Sequence, residues 1–286
     1  MSYEVRVEPT GDVIEVDEGQ TILDAALRQG VWLPFACGHG TCATCKVQVL
    51  EGDADLGNAS PFALMDMERE EGKILVCCAT PESDLVIEAD IDVDPDFLGY
   101  PVQDYVGTVT DIVNLSPTIK GITLELDGAM EFQAGQYINL KIPGVEGTRA
   151  FSIANKPSDD RHVELHVRLV PGGAGTTWLH ETLQVGDTLD ISGPYGQFFV
   201  RKSDDQDVIF IAGGSGLSSP QSMILDLLEA GDSRQIYLFQ GARNVSELYN
   251  RELFEALERE HDNFHYIPAL NEPLDEDQWE GFRGFV

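Results

Sequence analysis

Four cysteines at fixed spacing constrain this chain more than any other feature. Cys37, Cys42 and Cys45 form a C-x4-C-x2-C segment, and Cys77 follows after 31 intervening residues. The chain has five cysteines, an odd number, and in a reducing compartment such thiols are more often metal ligands or redox groups than disulfide partners. We therefore predict a domain that folds around a thiolate site, with one short loop supplying three of the ligands.

The spacing indicates which metal this site holds. A C-x4-C-x2-C segment with a distant fourth cysteine is the arrangement of plant-type [2Fe–2S] ligation. Gly38 and Gly40 suit it, because glycine allows backbone N–H groups to turn toward the sulfur atoms. A structural zinc site and a set of buried free thiols are the alternatives. Zinc ribbons usually use two C-x2-C pairs and this chain has one, so the pattern favours the iron–sulfur cluster.

The first hundred residues predict a small sheet crossed by a helix. Tyr3–Val7 and Val13–Val16 alternate apolar and polar side chains, as the two strands of a hairpin do. A helix is expected to begin at Thr21, which opens an S/T-x-x-D capping pattern, and to end at Gly30.

Further elements complete this first domain. Val47–Leu50 and Asp84–Ala89 are expected to be strands. A second helix is expected to begin with Ser60 as its N-cap and Pro61 as its first residue. The acidic segment Asp90–Asp96 contains a proline and is typical of a linker.

The remainder of the chain predicts two more domains. From Tyr105 to about Val200, short β-branched segments alternate with Gly or Pro turns, which is typical of an antiparallel barrel, with one helix at Thr176–Leu183. From Asp207 onward the pattern predicts a βαβαβ unit with a parallel sheet. Its predicted elements are strand Val208–Ala212, helix Leu217–Glu229, strand Ile236–Gln240, helix Ser246–Glu260 and strand Phe264–Ala269. The predicted domains are residues 1–98, 99–203 and 204–286.

Two glycine turns and an arginine are candidate anion sites on chemical grounds. Arg149 could pair with a phosphate, and the turn Gly172–Thr176 precedes a predicted helix, where free N–H groups and the helix dipole favour negative charge. The turn Gly213–Gly216 lies at a strand-to-helix junction that could hold a pyrophosphate in the same way. It is not a G-x-G-x-x-G fingerprint, because Ser219 stands where the third glycine would be. Without the cysteine and arginine motifs, it would be interpreted as a tight turn with packing glycines.

The order of these motifs resembles that of the ferredoxin–NAD(P) reductase superfamily. In that superfamily a segment like Arg149–Ser152 and a glycine turn on a barrel precede a Gly-Gly-x-Gly-x-x-Pro turn. The segments Cys37–Lys46, Asp94–Gly99, Gly193–Phe199 and Phe239–Asn244 closely resemble the reductase components of phenol hydroxylases, and the resemblance spans essentially the whole chain. The resemblance implies a multidomain fold: an α+β plant-type ferredoxin (β-grasp) domain, an antiparallel flavin-binding β-barrel and an α/β nicotinamide-binding domain.

The resemblance also implies which residues contact FAD. Arg149 would pair with the pyrophosphate, and Ser152 would hydrogen-bond the isoalloxazine edge. Phe151 stands where the family has Tyr, so a ring remains for the flavin face but the hydroxyl for the ribityl chain is lost. The resemblance implies that Val167, Gly173, Gly175 and Thr176 contact the adenine side of FAD and make a second contact with its phosphates.

The same resemblance implies the nucleotide and cluster residues. Those for the nicotinamide nucleotide are Gly213, Gly214, Ser215, Gly216, Gly241 and Arg243. Arg243 could also favour the 2′-phosphate of NADPH, so the expectation of NADH comes from the resemblance. Because Leu75–Asp84 resembles the last-ligand segment of plant-type ferredoxins, Cys77 is implied as the fourth cluster ligand after Cys37, Cys42 and Cys45. Cys78 is then expected to be a buried thiol and His39 an exposed loop residue.

The implied function is electron transfer. NADH would supply electrons through FAD and the cluster to the di-iron oxygenase component of a phenol hydroxylase, without a side chain acting as acid or base. Reductases of Rieske or other di-iron oxygenases have the same parts, and a non-catalytic iron–sulfur electron carrier is the alternative outside enzymes. The family continues beyond the position of Val286, so the nicotinamide domain is expected to be incomplete at its C-terminus, which favours the carrier alternative.

Composition limits the partners. Fifty Asp and Glu residues against 18 Lys and Arg give a formal charge of −32, which would repel nucleic acids and anionic lipid surfaces. Half of this charge lies in residues 1–100. Solubility in a salty cytoplasm and an acidic docking face for a basic protein explain it equally well. The N-terminus lacks the pattern of a signal peptide, and no apolar stretch could span a bilayer, so we expect a cytoplasmic protein.

Overall fold

The computed structural model describes residues 2–92 and 94–286. Met1 lies outside the described residues, as does Val93 of the predicted linker. The chain divides into two compact units, Met1–Gln103 and Asp104–Val286. The domain boundaries expected at residues 98 and 203 stay predictions. None of the described helices combines the length and the apolar composition that a membrane crossing requires.

The first unit contains a mixed five-stranded sheet. Its strands are β1 (Ser2–Glu8), β2 (Asp12–Asp17), β3 (Lys46–Glu51), β4 (Ala54–Asp55), β5 (Lys73–Leu75), β6 (Thr80–Pro81) and β7 (Leu85–Glu88). The sheet order is β2-β1-β7-β3-β5, and β4 pairs separately with β6. β1 and β7 are parallel, while β1–β2, β3–β5 and β3–β7 are antiparallel. The predicted hairpin and the two predicted strands are confirmed.

One amphipathic helix covers this sheet. Helix α1 spans Ile22–Arg28, and the Thr21 hydroxyl accepts the Asp24 N–H at 3.3 Å, as the capping pattern predicts. The apolar face of the helix is completely buried in the core of the sheet. The chain leaves the helix through Gly30, whose φ of +72° is the left-handed conformation that ends many helices.

The second helix of this unit begins later than predicted. Helix α2 spans only Asp66–Glu70, and Ser60 begins a hydrogen-bonded turn instead. The Ser60 hydroxyl accepts the Phe62 N–H at 3.3 Å, whereas α2 is capped by Glu68, which accepts the Met65 N–H at 3.0 Å. The prediction of a helix from Ser60 was wrong because a serine that bonds a backbone N–H stabilises an isolated turn as well as a helix.

The second unit begins with an antiparallel barrel. Its strands are β8 (Gln103–Ser116), β9 (Ile119–Leu126), β10 (Tyr137–Lys141), β11 (Thr148–Ser152), β12 (His162–Arg168) and β13 (Thr188–Tyr195). They form one sheet in the order β11-β10-β13-β8-β9-β12. A bridge between Ile153, directly after β11, and Leu165 of β12 joins the two edges of the sheet. This closure confirms the predicted barrel. Its helix α3 spans Ala174–Glu181, two residues earlier than predicted.

A parallel sheet follows the barrel. Its elements are β14 (Val208–Gly213), α4 (Ser218–Glu229), β15 (Ile236–Ala242), α5 (Arg251–Glu260), β16 (Phe264–Leu270) and β17 (Phe282–Arg283). The strands lie side by side in that order, and each pair is parallel, as the βαβαβ pattern predicts. The short strand β17 was not predicted.

Helix α5 is shorter than predicted. Val245–Glu247 forms a 3-10 turn, and Asn250 then adopts a left-handed conformation with φ +56°. Helix α5 begins only after this residue, so the prediction of a continuous helix from Ser246 was wrong over its first five residues. A single left-handed residue interrupts a helix although the apolar pattern continues through it.

The first turn of α4 packs against the barrel through buried polar side chains. Gln221 Nε2 donates to the carbonyl of Ala154 at 3.3 Å, and the Ser222 hydroxyl donates to that of Asn155 at 2.6 Å. Buried hydrogen bonds of this kind are costly to break, because the partners would remain unsatisfied. They fix the start of α4, and with it the glycine turn that precedes this helix.

Candidate functional site

The four predicted cluster ligands lie close together in the first unit. Cys37 and Cys42 belong to the loop between α1 and β3, while Cys45 and Cys77 are buried at its base. The Sγ atoms of Cys45 and Cys77 are 3.2 Å apart, and the Cys37 N–H donates to Cys42 Sγ at 3.4 Å. Cys42 and Cys45 are three residues apart on this loop, so the chain brings the two pairs near each other.

This paired arrangement fits a two-iron group better than zinc. A structural zinc site requires four ligands that converge on one metal. In a [2Fe–2S] cluster the four cysteines are instead divided between two irons. Soft thiolate donors are also the ligands that iron–sulfur clusters select.

The loop directs backbone N–H groups at the sulfur atoms. The N–H groups of His39 and Thr41 lie 3.5 and 3.4 Å from Cys37 Sγ. Burial acts to raise the pKa of Cys37, but these N–H groups and the side chains of Thr41 and Cys42 together lower that pKa to about 5. Contact with Cys77 lowers the pKa of Cys45 to about 7, and the same contact raises the pKa of Cys77. The lowered pKa of Cys37 makes one thiolate available at neutral pH, the form in which cysteine ligates a metal.

Gly40 allows the loop to close over the buried base. Its φ is +78°, and a Cβ atom at this position would lie 2.5 Å from Cys78 Sγ. Cys78 is 8% exposed, which confirms that it is a buried thiol, and burial raises its pKa. His39 is exposed on the loop, as expected.

A second candidate site lies on the barrel, where Arg149 of β11 meets the start of α3. A Cβ atom at Gly175 would lie 3.6 Å from Arg149 Cγ and 3.0 Å from Ile142 Cδ1, so the arginine crosses this helix closely. Arg149 Nη1 donates to the carbonyls of Glu146 and Thr148 at 3.1 and 2.8 Å. Arginine has five N–H donors, so these two bonds leave capacity for a phosphate.

The N-terminus of α3 adds backbone donors at the same place. Gly173 is the N-cap residue, and no side chain in the described part of the chain caps this helix. The Thr176 hydroxyl is used within the turn, where it donates to the Gly173 carbonyl at 3.2 Å and accepts the Val170 N–H at 3.1 Å. Free N–H groups beside an arginine are suited to a phosphate, so the residues fit the pyrophosphate of FAD.

The remaining predicted flavin residues lie on two neighbouring parts of the barrel. Because side chains alternate along a strand, Arg149 and Phe151 share one face of β11, and the Phe151 ring packs half-buried against the barrel core. Ser152 is half-buried on the opposite face. The Val167 side chain is completely buried, and its carbonyl accepts from His180 Nε2 at 2.8 Å. The roles of these residues toward FAD stay predictions.

A third candidate site is a cleft of about 320 Å³ at the carboxyl ends of β14 and β15. It brings together four of the predicted nucleotide residues, Gly213, Gly214, Gly241 and Arg243, while Ser215 and Gly216 do not line it. A Cβ atom at Gly213 would lie 3.2 Å from the Gly241 carbonyl oxygen, so the two strand ends approach closely. Ligands of open α/β sheets bind at this edge, and the cleft therefore fits a nicotinamide nucleotide.

An acidic side chain that the sequence analysis missed also lines this cleft. Glu247 forms an ion pair with Arg243, in which Arg243 Nε lies 2.9 Å from Glu247 Oε2 and Nη2 contacts Oε1. The hydrogen bond with Arg243 lowers the pKa of Glu247. The i, i+4 spacing of the two residues was the sequence signal that could have revealed the pair. The charge of the Arg243 guanidinium is therefore already paired with the Glu247 carboxylate.

Comparison with known proteins gives a consistent result. Models of three families match the chain: the 2Fe-2S iron-sulfur cluster binding domain at residues 5–82, the oxidoreductase FAD-binding domain at 107–200 and the oxidoreductase NAD-binding domain at 210–286. The phenol hydroxylase P5 protein of Acinetobacter pittii strain PHEA-2 is 73% identical over 286 residues, which are 100% of this chain and 81% of that protein. The reductase component of phenol 2-monooxygenase from Pseudomonas sp. strain CF600 is 70% identical with the same coverage.

The chain belongs to the phenol hydroxylase reductase family. The reductase also resembles the crystal structure of a cytochrome P450 reductase from Amycolatopsis, with a TM-score of 0.89 and 34% identity, covering 99% of this chain and 84% of that one. The predicted fold class is confirmed for all three domain types. The reductase is an oxidoreductase with iron–sulfur, FAD-binding and NAD-binding domains. These findings favour the enzyme over the hypothesis of a non-catalytic iron–sulfur electron carrier.

Proposed function

We propose that the reductase passes electrons from NADH, through FAD and a [2Fe–2S] cluster, to the di-iron oxygenase component of a phenol hydroxylase. The observation that carries the proposal is that one chain contains all three binding environments: the thiolate loop, the arginine beside α3 and the cleft at the ends of β14 and β15. The two relatives described above are named as a phenol hydroxylase protein and a reductase component of phenol 2-monooxygenase, which supports the choice of oxygenase.

Each environment has a distinct role in this proposal. Cys37, Cys42, Cys45 and Cys77 hold the cluster. Arg149 and the first turn of α3 bind the FAD pyrophosphate, with Phe151, Ser152 and Val167 around the rest of the flavin nucleotide. When bound, the two groups supply the conversion of a two-electron hydride donor into a source of single electrons, which a di-iron centre requires. The protein places and insulates the groups, and no side chain acts as acid or base.

The nucleotide cleft is suited to NADH rather than NADPH. A 2′-phosphate would add negative charge beside the Glu247 carboxylate, and Arg243 is occupied by that carboxylate. An acidic residue at this edge of an α/β sheet can instead accept a hydrogen bond from a ribose hydroxyl. We therefore assign the 2′-hydroxyl of NADH to this end of the cleft.

A cytoplasmic location belongs to the same proposal. All five cysteines lie within the described residues, and none of them is bridged. Free thiols that ligate a metal persist in a reducing compartment, where disulfides are rare.

The experiment combines the full chain with the purified oxygenase component, NADH and phenol, and compares Cys77→Ala with Cys78→Ala. We expect Cys77→Ala to retain NADH-dependent ferricyanide reduction through the flavin while phenol hydroxylation falls by at least about 100-fold. Cys78→Ala, a change of the same size one residue away, should retain both activities within about twofold. Normal hydroxylation by Cys77→Ala, or no hydroxylation by the unaltered chain, would contradict the proposal.

A further inference from the structure

We infer that Tyr249 is a positioning residue for the nicotinamide nucleotide. Its hydroxyl, supported by the barrel, fixes the orientation of the Gly214–Ser215 peptide in the turn before α4. This inference rests on the proposed nucleotide cleft and adds a residue that lies behind the cleft rather than in it.

A chain of hydrogen bonds runs from the barrel to the glycine turn. The Tyr249 hydroxyl donates to the Gly214 carbonyl oxygen at 2.9 Å. His166 Nδ1 lies 3.2 Å from the same hydroxyl, and His166 Nε2 lies 2.9 Å from Glu164 Oε1. Tyr249 and His166 are each only 4% exposed, and their rings meet edge to face at a centroid distance of 5.2 Å. The chain is therefore shielded from water along most of its length.

The direction of the bond from Tyr249 to Gly214 follows from the chemistry of the two groups. A carbonyl oxygen can only accept, so Tyr249 gives its single hydroxyl proton to Gly214. His166 Nδ1 lies within hydrogen-bond distance of the same Tyr249 oxygen, and the ring tautomer decides whether it donates or accepts there. Burial raises the pKa of Tyr249, so the hydroxyl keeps the proton that this arrangement needs. The orientation of the His166 ring is thereby transmitted to one carbonyl group of the turn.

That carbonyl controls a donor on the other side of its peptide. In a trans peptide the C=O and N–H bonds point in opposite directions, and the Gly214–Ser215 peptide is trans. Holding the Gly214 carbonyl toward Tyr249 therefore turns the Ser215 N–H away from it. Gly214 lines the cleft and has a φ of +55°, and a glycine in this conformation rotates easily unless its peptide is held. Ser215 itself does not line the cleft, so the effect on the nucleotide comes through the Gly214 end of this peptide. We assign to Tyr249 the task of holding the peptide in one orientation beside the cleft.

The support for Tyr249 comes from both parts of the second unit. Gln240 Nε2 of β15 donates to the Tyr249 carbonyl at 3.0 Å, which fixes its backbone. Glu164 and His166 belong to strand β12 of the barrel, and Arg168 at the end of the same strand lines the cleft. One barrel strand thus contributes both to the wall of the cleft and to the support of the turn behind it.

The test compares Tyr249→Phe with Tyr105→Phe in the full chain loaded with FAD. Tyr105 of strand β8 is a matched control, because it is also buried, at 7% exposure. Its hydroxyl likewise donates to a backbone carbonyl, that of Ala129, at 3.3 Å. We expect Tyr249→Phe to raise the Kd of NAD⁺ about tenfold in calorimetry, roughly the loss of one hydrogen bond to a charged group. The KM for NADH in ferricyanide reduction should rise in parallel, with kcat and FAD content within about twofold. Tyr105→Phe should leave the Kd unchanged.

An unchanged Kd for NAD⁺ in Tyr249→Phe would overturn the inference, whatever happens to stability. If the unaltered chain binds no NAD⁺, the proposed nucleotide site fails instead, and the two failures are distinguished by that single measurement. Should Tyr249→Phe fail to fold, His166→Asn and His166→Ala decide the question. The amide group of asparagine can take the place of Nδ1 as donor or acceptor, so we expect the Kd to rise only in His166→Ala. Equal Kd values in these two variants would contradict the inference.

Discussion

Two glycines of the cluster loop have the same backbone conformation in very different surroundings. Gly38 and Gly40 have φ values of +69° and +78°. A Cβ atom at Gly38 would meet nothing within 4 Å, whereas one at Gly40 would lie 2.5 Å from Cys78 Sγ and 3.3 Å from Ala59 Cα. The first position requires glycine only for its conformation, and the second requires it also for space.

We therefore predict that Gly38→Ala retains the cluster and Gly40→Ala loses it. The left-handed conformation costs an alanine about 1–2 kcal/mol at either position, but only at Gly40 must the loop also move away from its base. Iron and acid-labile sulfide per chain measure the outcome, with at least a fivefold loss expected for Gly40→Ala. Equal iron contents in the two variants would show that space at Gly40 is unimportant.

The ion pair between Arg243 and Glu247 predicts a shift in nucleotide preference. In Glu247→Gln the guanidinium loses its charged partner and the repulsion of a 2′-phosphate disappears, so the ratio of kcat/KM for NADH over NADPH should fall about tenfold. Glu255→Gln is the control, because Glu255 forms an i, i+4 pair with Arg251 in α5, outside the residues that line the cleft. If both variants keep the original preference, Glu247 does not discriminate between the nucleotides.

The sequence predicted some functional residues and missed others, and the difference has a physical reason. The cysteines were found because ligand spacing is written directly in the chain. Tyr249 was not found because its partner His166 lies 83 positions away, and only the fold brings the two together. Glu247 was within reach of the i, i+4 rule, but the rule does not say that the pair faces a cleft.

At the scale of elements, Arg234 joins the segment between β13 and β14 to the parallel sheet. Its guanidinium lies 2.7 Å from the Asp232 carboxylate and donates to the carbonyls of Arg201 and Asp204 at 3.0 and 2.9 Å. The hydrogen bond from Arg234 holds the pKa of Asp232 below its ordinary value. The folded state thus favours the charged carboxylate more than the unfolded chain does.

Asp232→Asn should consequently destabilise the second unit by about 1–3 kcal/mol at pH 7 in urea denaturation. Because the folded pKa is lowered, the contribution of Asp232 is present above the unfolded value near 3.9 and is lost as pH falls toward the lowered folded value. The difference from the unaltered chain should be constant between about pH 7 and 5 and shrink below about pH 4. Asp190→Asn, in an exposed pair with Lys141, should change stability by less than about 0.5 kcal/mol at every pH. A loss that does not depend on pH would contradict the role of the charge.

Strands and helices were predictable where their burial requires a regular pattern of apolar residues. Strands β14, β15 and β16 lie within two residues of their predicted bounds, because apolar runs between polar turns follow directly from a covered sheet. The helices expected from Ser60 and Ser246 failed at their first turns, since local capping and turn chemistry are alike until tertiary contacts choose between them.

At the scale of the whole molecule, the charge of −32 predicts opposite effects of salt on the two substrates. NADH is an anion, so screening should lower its KM as ionic strength rises from about 20 to 200 mM. A basic docking surface on the oxygenase component would be attracted to the acidic reductase, so its KM should rise severalfold over the same range. Steady-state titration of each substrate measures both effects. An oxygenase KM that does not respond to salt would assign the acidity to solubility alone.

An anaerobic titration of the purified reductase with NADH, followed by visible spectroscopy, tests the proposed electron path in one measurement. We predict that flavin absorbance is lost and that the bands of the cluster bleach with it, since both groups lie on one path from NADH. If NADH leaves both sets of bands unchanged while dithionite bleaches them, the proposed electron path from NADH is contradicted.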